Sequence, residues 1–258
     1  MRTPPSTTQG DELRLTHVPF DFTVPDTWAT AYEGVSRMFV LRPPELVNVR
    51  RDLLPALQAA RHAGIEHMVL LSVQGVESIP MAPHAALERW LRRSGLSWTF
   101  VRPSFFMENL IYPHGDDIRD FDSISVPAGS GRTAFVAGSD VGAVAAAALL
   151  DPDAHRGRAY TPTGPAALTY HAVAATLSDV LERPISYPRP GLVQHARHAR
   201  TDLGMPWPLV ALTGVIYTTA RLGLADGLST DVQHVTGRTP ESLGSWAARH
   251  AEVWRAAG

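Results

Sequence analysis

Cysteine and lysine are both missing from this chain: the 23 basic residues are all arginine. Without cysteine there is no disulfide, no thiolate nucleophile and no thiolate-held zinc, and the composition fits a cytoplasmic protein. Arginine stays protonated and serves neither as a tuned base nor as a Schiff-base nucleophile. A Tyr-x-x-x-Lys pair, in which lysine lowers the tyrosine pKa, is therefore excluded. A large excess of either charge is also missing, with 23 basic and 25 acidic residues. A net charge of −2 gives no electrostatic case for nucleic acid or an anionic membrane. Long apolar runs are missing too. The most apolar stretch, Trp207–Ala220, is too short to span a bilayer and holds Thr213, Gly214, Thr218 and Thr219, so it reads as a buried helix. The opening MRTPPSTTQGDE has no apolar segment of the kind a secretion signal needs.

What is present is ordinary core material. The 258 residues are 45% hydrophobic, enough for one sizeable core with a small appended lobe. Strand and helix signals alternate. Leu13–Asp21 reads as a strand, Pro25–Tyr32 as a short helix capped by Thr23 or Asp26, and Ser36–Leu41 as the next strand. Glu45–Ala63 is an amphipathic helix closed by Gly64, Glu66–Ser72 a strand buried on both faces, and Pro83–Ser94 a helix stopped at Gly95. Ser97–Val101 is a further strand, ended by Arg102-Pro103 because proline removes a ladder donor. This order predicts an α/β fold with a doubly wound, Rossmann-like parallel sheet. Beyond it, Pro113–Ser123 reads as a loop over the site. Ser125–Pro127, Thr133–Ala137, Ala159–Pro162 and Ile185–Pro188 are short strands; Val141–Leu150 and Tyr170–Leu181 are helices. Residues 1–150 are expected to form the Rossmann-like domain. Residues 151–258 are expected to form a mainly helical substrate lobe packed on it.

The strand at Ser97–Val101 delivers Ser104, Phe105, Phe106, Met107 and Asn109 to its C-terminal end, where open α/β sheets bind ligands. The whole run SWTFVRPSFFMEN, with Pro127–Ala148, Gly157–Pro165 and Thr236–Pro240, resembles the NmrA-like branch of the atypical short-chain dehydrogenase/reductases. The resemblance implies NAD or NADP as cofactor and a small organic, apolar or aromatic substrate. It also implies site residues. Asp21 and Phe22 would meet the adenine, and Leu41, Arg42 and Pro43 the pyrophosphate–nicotinamide path. Ser72, Pro103 and Phe105 would flank the nicotinamide, with Phe106, Met107, Asn109 and Trp207 lining the substrate pocket. His84 and Glu88, spaced i, i+4 on one helix face, stand where the family often has His and Glu: His84 as general acid, Glu88 orienting it. Tyr112 and His114 are alternative proton donors. Taken one at a time each residue has an ordinary explanation, Asp21 and Ser72 as caps and Phe105 and Met107 as core.

One family feature has no counterpart. The glycine-rich strand-turn-helix that holds a dinucleotide pyrophosphate is missing from the front, where Met1-Arg2-Thr3 aligns with the end of the second strand. Arg2 is the one basic residue near the position that distinguishes NADP from NAD. Three explanations stay open: a native protein that starts earlier, a sheet closed up with Leu13–Asp21 beside Ser36–Leu41, or a strand supplied by a partner chain. The stretch FVAGSDVGAVAAAA mimics a phosphate turn, but its Gly138 and Gly142 lack the G-x-G-x-x-G spacing. It reads as a helix capped by Ser139 or Asp140. Asp140 is also the expected carboxylate partner of Arg102. His195, His198 and Asp202 share a helical face, but without supporting residues no metal site is assigned.

The leading function is thus an NAD(P)(H)-linked oxidoreductase. Its rivals are a cofactor-independent isomerase, cyclase or dehydratase of secondary metabolism, and a non-catalytic redox-sensing regulator. The expected partner is a small-molecule substrate, and a homo-oligomer is compatible with the sequence.

Overall fold

A computed structural model describes residues 15–255. Met1–Thr3, with Arg2, and the Leu13 start of the first expected strand lie outside the described residues. The helices are α1 Trp28–Tyr32, α2 Val49–Asp52, α3 Leu54–His62, α4 Pro83–Arg93, α5 Gly115–Asp120, α6 Gly138–Leu150 and α7 Pro152–His155. They continue as α8 Tyr170–Leu181, α9 Leu192–Thr201, α10 Trp207–Arg221, α11 Asp231–Thr236 and α12 Leu243–His250. The strands are β1 Arg37–Val40, β2 His67–Leu71, β3 Ser97–Val101, β4 Phe105–Phe106, β5 Arg132–Val136, β6 Arg158–Tyr160 and β7 Ala167–Thr169.

Four strands form a parallel sheet in the order β1-β2-β3-β6. β2 is buried along nearly its whole length because helices cover both faces, and its sequence HMVLL is correspondingly apolar. Leu53, Leu57, Leu87, Leu91 and Phe100 pack on one side; Val141, Val144 and Ala148 of α6 pack on the other. α6 packs on the sheet through Val141, Val144, Ala145 and Ala148, side chains small enough for a close approach. A second, three-stranded sheet has the order β4-β5-β7 and anchors the cluster built by α8, α10 and α12. The first sheet draws β6 from beyond residue 150, and the second cluster joins residues 107–137 to residues 170–254, so packing does not divide the chain at 150.

Several expectations need correction. Leu15–Asp21 is not a strand and makes no ladder bond to β1; its Phe20 and Phe22 pack edge to face instead, with ring centroids 4.9 Å apart. A strand needs a neighbour to satisfy its backbone, and among the described residues β1 pairs only with β2. The segment Pro113–Ser123 contains α5 rather than being loop throughout, because Ile118 is buried against the C-terminal cluster. Ser125–Pro127 and Ile185–Pro188 are joined only by a Ser123–Ser186 bridge and flanking bonds. The long helix starts at Val49, capped by Asn48, and breaks at Leu53. Neither Thr23 nor Asp26 caps the first helix; Thr23 donates to Asp21 instead. α6 begins at Gly138, so Ser139 and Asp140 lie inside it, and Glu108 reaches from another segment to accept the Gly138 N–H at 2.9 Å. α10 is buried on one face only, leaving Trp207, Leu212 and Val215 exposed.

Candidate functional site

The register brings three strand ends to one rim. Val40 pairs with Leu70 and Leu71 with Val101, so Leu41-Arg42-Pro43, Ser72-Val73-Gln74 and Pro103-Ser104-Phe105 leave the sheet side by side. The alignment persists past the strands: Ser72 N–H donates to Val101 O at 2.7 Å and Gln74 N–H to Pro103 O at 3.0 Å. This is the carboxyl edge of a parallel sheet, the usual place for a ligand.

Along the rim each polar side chain has a definite state. Arg42 folds back, its Nη1 donating to the carbonyls of Pro43, Pro44 and Leu46 at 2.8, 3.1 and 3.2 Å, while its Nε is buried without a partner. Burial lowers the Arg42 pKa, opposed by the Glu45 charge. Ser104 Oγ is likewise buried and unpartnered. Buried polar atoms are normally paired, so these two groups, past the ends of β1 and β3 with the β2 end between them, keep polar capacity for a ligand at the rim. Ser72 is not such a group, since its hydroxyl is committed to Glu88 Oε1 at 2.7 Å.

His84 is half-buried near the start of α4, within reach of the Arg42 charge. Burial first and Arg42 second lower its pKa to about 4, with Glu88 opposing them, so it is neutral at neutral pH. Glu88 does not orient it. Its Oε1 accepts from Ser72 and Arg102 Nε, its Oε2 from Arg102 Nη2 and Arg92 Nη2. Arg102 thus pairs with Glu88 rather than Asp140, whose Oδ2 accepts the Glu241 N–H at 2.7 Å. His114 is 1% exposed and bonded to the Tyr217 hydroxyl; burial chiefly, then the His195 and His198 charges, lower its pKa to about 3. It is a core histidine, closed to a ligand at the rim. Tyr112 is 78% exposed.

The remaining expected residues divide. Phe105, half-buried, meets Phe135 edge to face at 5.5 Å and Tyr217 at 5.8 Å, so it joins the rim to the C-terminal cluster. Phe106 packs beside the α6 cluster; Met107 is core; Asn109 is half-buried, its carbonyl accepting from His114 N–H at 3.3 Å. Asp21 is exposed and caps its own turn through Thr23, which lowers its pKa; Phe22 packs beside the cluster around β1. Trp207, 61% exposed, belongs to a groove between α9 and α10. His195 and His198 do not converge: His195 contacts Ser125 O and Thr213, whereas His198 lies between Asp117 and Asp202. No group of three potential metal ligands forms among the described residues. Sequence reasoning singled out neither Gln74, whose Nε2 ties the rim to Gly227 O at 2.8 Å, nor Glu108; only their places after strand ends could have pointed to them.

A family profile described as NAD(P)H-binding matches residues 1–152. The NAD(P)H azoreductase of Xenophilus azovorans is 35% identical over 246 residues, which cover 92% of this chain and 83% of that protein. The (4-alkanoyl-5-oxo-2,5-dihydrofuran-3-yl)methyl phosphate reductase of Streptomyces griseus is 35% identical over 204 residues, 76% of this chain and 70% of that protein. Among solved structures, the triphenylmethane reductase of Citrobacter sp. complexed with NADP(H) superposes with a TM-score of 0.78 at 23% identity, over 90% of this chain and 82% of that one.

Proposed function

This chain belongs to the NAD(P)H-binding family, among the NmrA-like reductases its sequence resembles, and we propose that it is an NAD(P)H-linked reductase of a small organic substrate with a polarised double bond. The observation that carries this reading is the rim, where Arg42 Nε and Ser104 Oγ are buried without partners past the ends of β1 and β3, on either side of the β2 end. These residues fit the nicotinamide half of such a cofactor. When bound, the reduced nicotinamide supplies a hydride to one atom of the double bond and leaves oxidised, while a proton joins the other atom. The chain's own contribution is to bind and orient. Leu41 and Pro43 offer apolar surface, Phe105 an aromatic face, and Arg42 and Ser104 the polar contacts. His84, neutral at neutral pH, serves as a hydrogen-bonding group and not as an imidazolium acid. Two relatives, one named an azoreductase and one a reductase of an alkanoyl-dihydrofuran methyl phosphate, support an electron-poor conjugated substrate.

Calorimetry of NADPH and NADH binding tests this directly, followed by nicotinamide oxidation with an azo dye and with a quinone. Micromolar binding is expected, weakened about tenfold by Arg42→Ala or Ser104→Ala, the loss of one good polar contact. A cooperatively folded chain that binds neither nucleotide up to millimolar concentration would overturn the reading.

A further inference from the structure

Gly129, Ser130 and Gly131 form a turn ahead of β5 that seats against the last turn of α10. A Cβ on Gly131 would fall 2.0 Å from the Ala220 carbonyl oxygen and 2.9 Å from the Arg221 Cα, so only glycine allows this approach. A Cβ on Gly129 would fall 3.3 Å from the Arg221 Cγ, which places the Arg221 side chain across the turn. Arg132 follows at once, steadied by donation from its Nη1 to Ala167 O at 2.9 Å. A third arginine arrives from another segment. Tyr187 donates its hydroxyl to Gly129 O at 3.0 Å, and two residues later Arg189 sits at φ +54°, a left-handed conformation rare outside glycine. Burial raises the Tyr187 pKa and the Arg189 and Arg221 charges oppose it, so both guanidiniums act on one point beside the turn.

The three arginines and Asp226 line one pocket of about 780 Å³. Among the described residues none of the three forms an ion pair, so no carboxylate already neutralises them. With Asp226 counted, the pocket keeps a net positive charge that calls for an anion. Leu222 is shared between this pocket and the groove of about 480 Å³ between α9 and α10, whose walls are apolar: Leu192, Ala196, Trp207 and Val215. A cationic pocket thus opens on the end of an apolar trough.

We propose that pocket and trough together bind a small amphiphilic anion, a tetrahedral oxyanion (phosphate monoester or sulfonate) on Arg132, Arg189 and Arg221 with its apolar body along α9 and α10. Guanidinium matches such oxyanions through paired, charge-assisted hydrogen bonds. This site goes beyond the reductase reading and stands whether or not that reading does. The same phosphate chemistry occurs in a dinucleotide, so the test separates the two sources.

Calorimetry on the full chain compares hexyl phosphate, inorganic phosphate and hexanol. Hexyl phosphate is expected to bind at least about tenfold more tightly than either of the others, since each supplies only half of the contacts. Arg189→Ala with Arg221→Ala should bring hexyl phosphate to the level of hexanol, and Trp207→Ala toward that of inorganic phosphate; these side chains are exposed, and melting curves verify folding. Saturating NADPH should leave the hexyl phosphate affinity unchanged. Equal binding of hexyl phosphate and hexanol, indifference to the double arginine substitution, or displacement by NADPH would each overturn the proposal, the last by assigning the arginines to the nucleotide's own phosphates.

Discussion

Arg102 holds Glu88 through two parallel bonds, Nε to Oε1 at 2.9 Å and Nη2 to Oε2 at 2.7 Å. The pair ties the end of β3 to the middle of α4, and both side chains are largely buried, 13% and 3% exposed. Breaking it from one side leaves a buried charge with only a solvent-exposed partner, Arg92 for Glu88 or Glu77 for Arg102, so the cost falls below the roughly 3–5 kcal/mol of a fully orphaned buried charge. Glu88→Ala and Arg102→Ala are each expected to lower the unfolding free energy from urea titration by about 2–3 kcal/mol. The double variant should cost less than the two together, because the second deletion removes the buried charge left with only its exposed partner. Additive losses would show that the two residues act independently.

That pair also marks where the sequence stops being legible. Strand β3 at Ser97–Val101 and helix α8 at Tyr170–Leu181 are delimited by periodicity and flanking residues alone, because their burial follows a local rule. β4 and β7, with two and three residues, are too short to carry a period. Leu15–Asp21 has the composition of a strand but no ladder partner among the described residues, and composition does not report partners. Choosing Glu88 over Asp140 for Arg102 required knowing that α4 crosses the end of β3. In the same way His84 and Glu88 share a helix face, yet Glu88 is claimed by three donors from α4, β2's end and β3's end, which no spacing rule reveals.

Acidification should loosen the fold through two histidines. Burial chiefly, with the Arg42 charge, holds His84 at about 4, and burial chiefly, with nearby histidine charges, holds His114 at about 3, against 6.5 for a free imidazole. The unfolded chain therefore takes up protons first as pH falls. The stability is fully present above about 6.5 and is lost progressively from there toward pH 4. Melting temperature against pH should show this limb, and His84→Gln should flatten part of it. An unchanged limb in that variant would remove His84 as a contributor.

His198 should act in the opposite sense. Burial lowers its pKa, but hydrogen bonds and charges from Asp117 and Asp202 outweigh burial and raise it, with Nε2 to Asp117 Oδ1 at 2.5 Å and Nδ1 to Asp202 Oδ2 at 2.6 Å. Its folded pKa lies above the free value, so its contribution is full below 6.5 and is lost as pH rises through the folded value. The bridge fastens α5 to α9. Imidazole titration by NMR should give a midpoint above 6.5 that drops on Asp202→Asn. A midpoint at or below the free value would mean the bridge is neutral.

Two glycines should respond oppositely to alanine, and the contrast tests whether backbone contact or helix propensity governs each. Gly142 lies inside α6, is exposed and would meet nothing within 4 Å, so Gly142→Ala only removes unfolded-state freedom and should gain about 0.5–1 kcal/mol. Gly131 lies against the Ala220 carbonyl, where a Cβ at 2.0 Å must displace backbone, and overpacking of this kind costs about 1–3 kcal/mol or more. The obstacle is a helix's own peptide unit, which unlike a side-chain tip has no rotamer to escape into. Equilibrium unfolding of the two single variants measures both signs. If Gly131→Ala proved neutral, the turn would be able to lift away from α10, and Arg132 and Arg221 would no longer be held side by side.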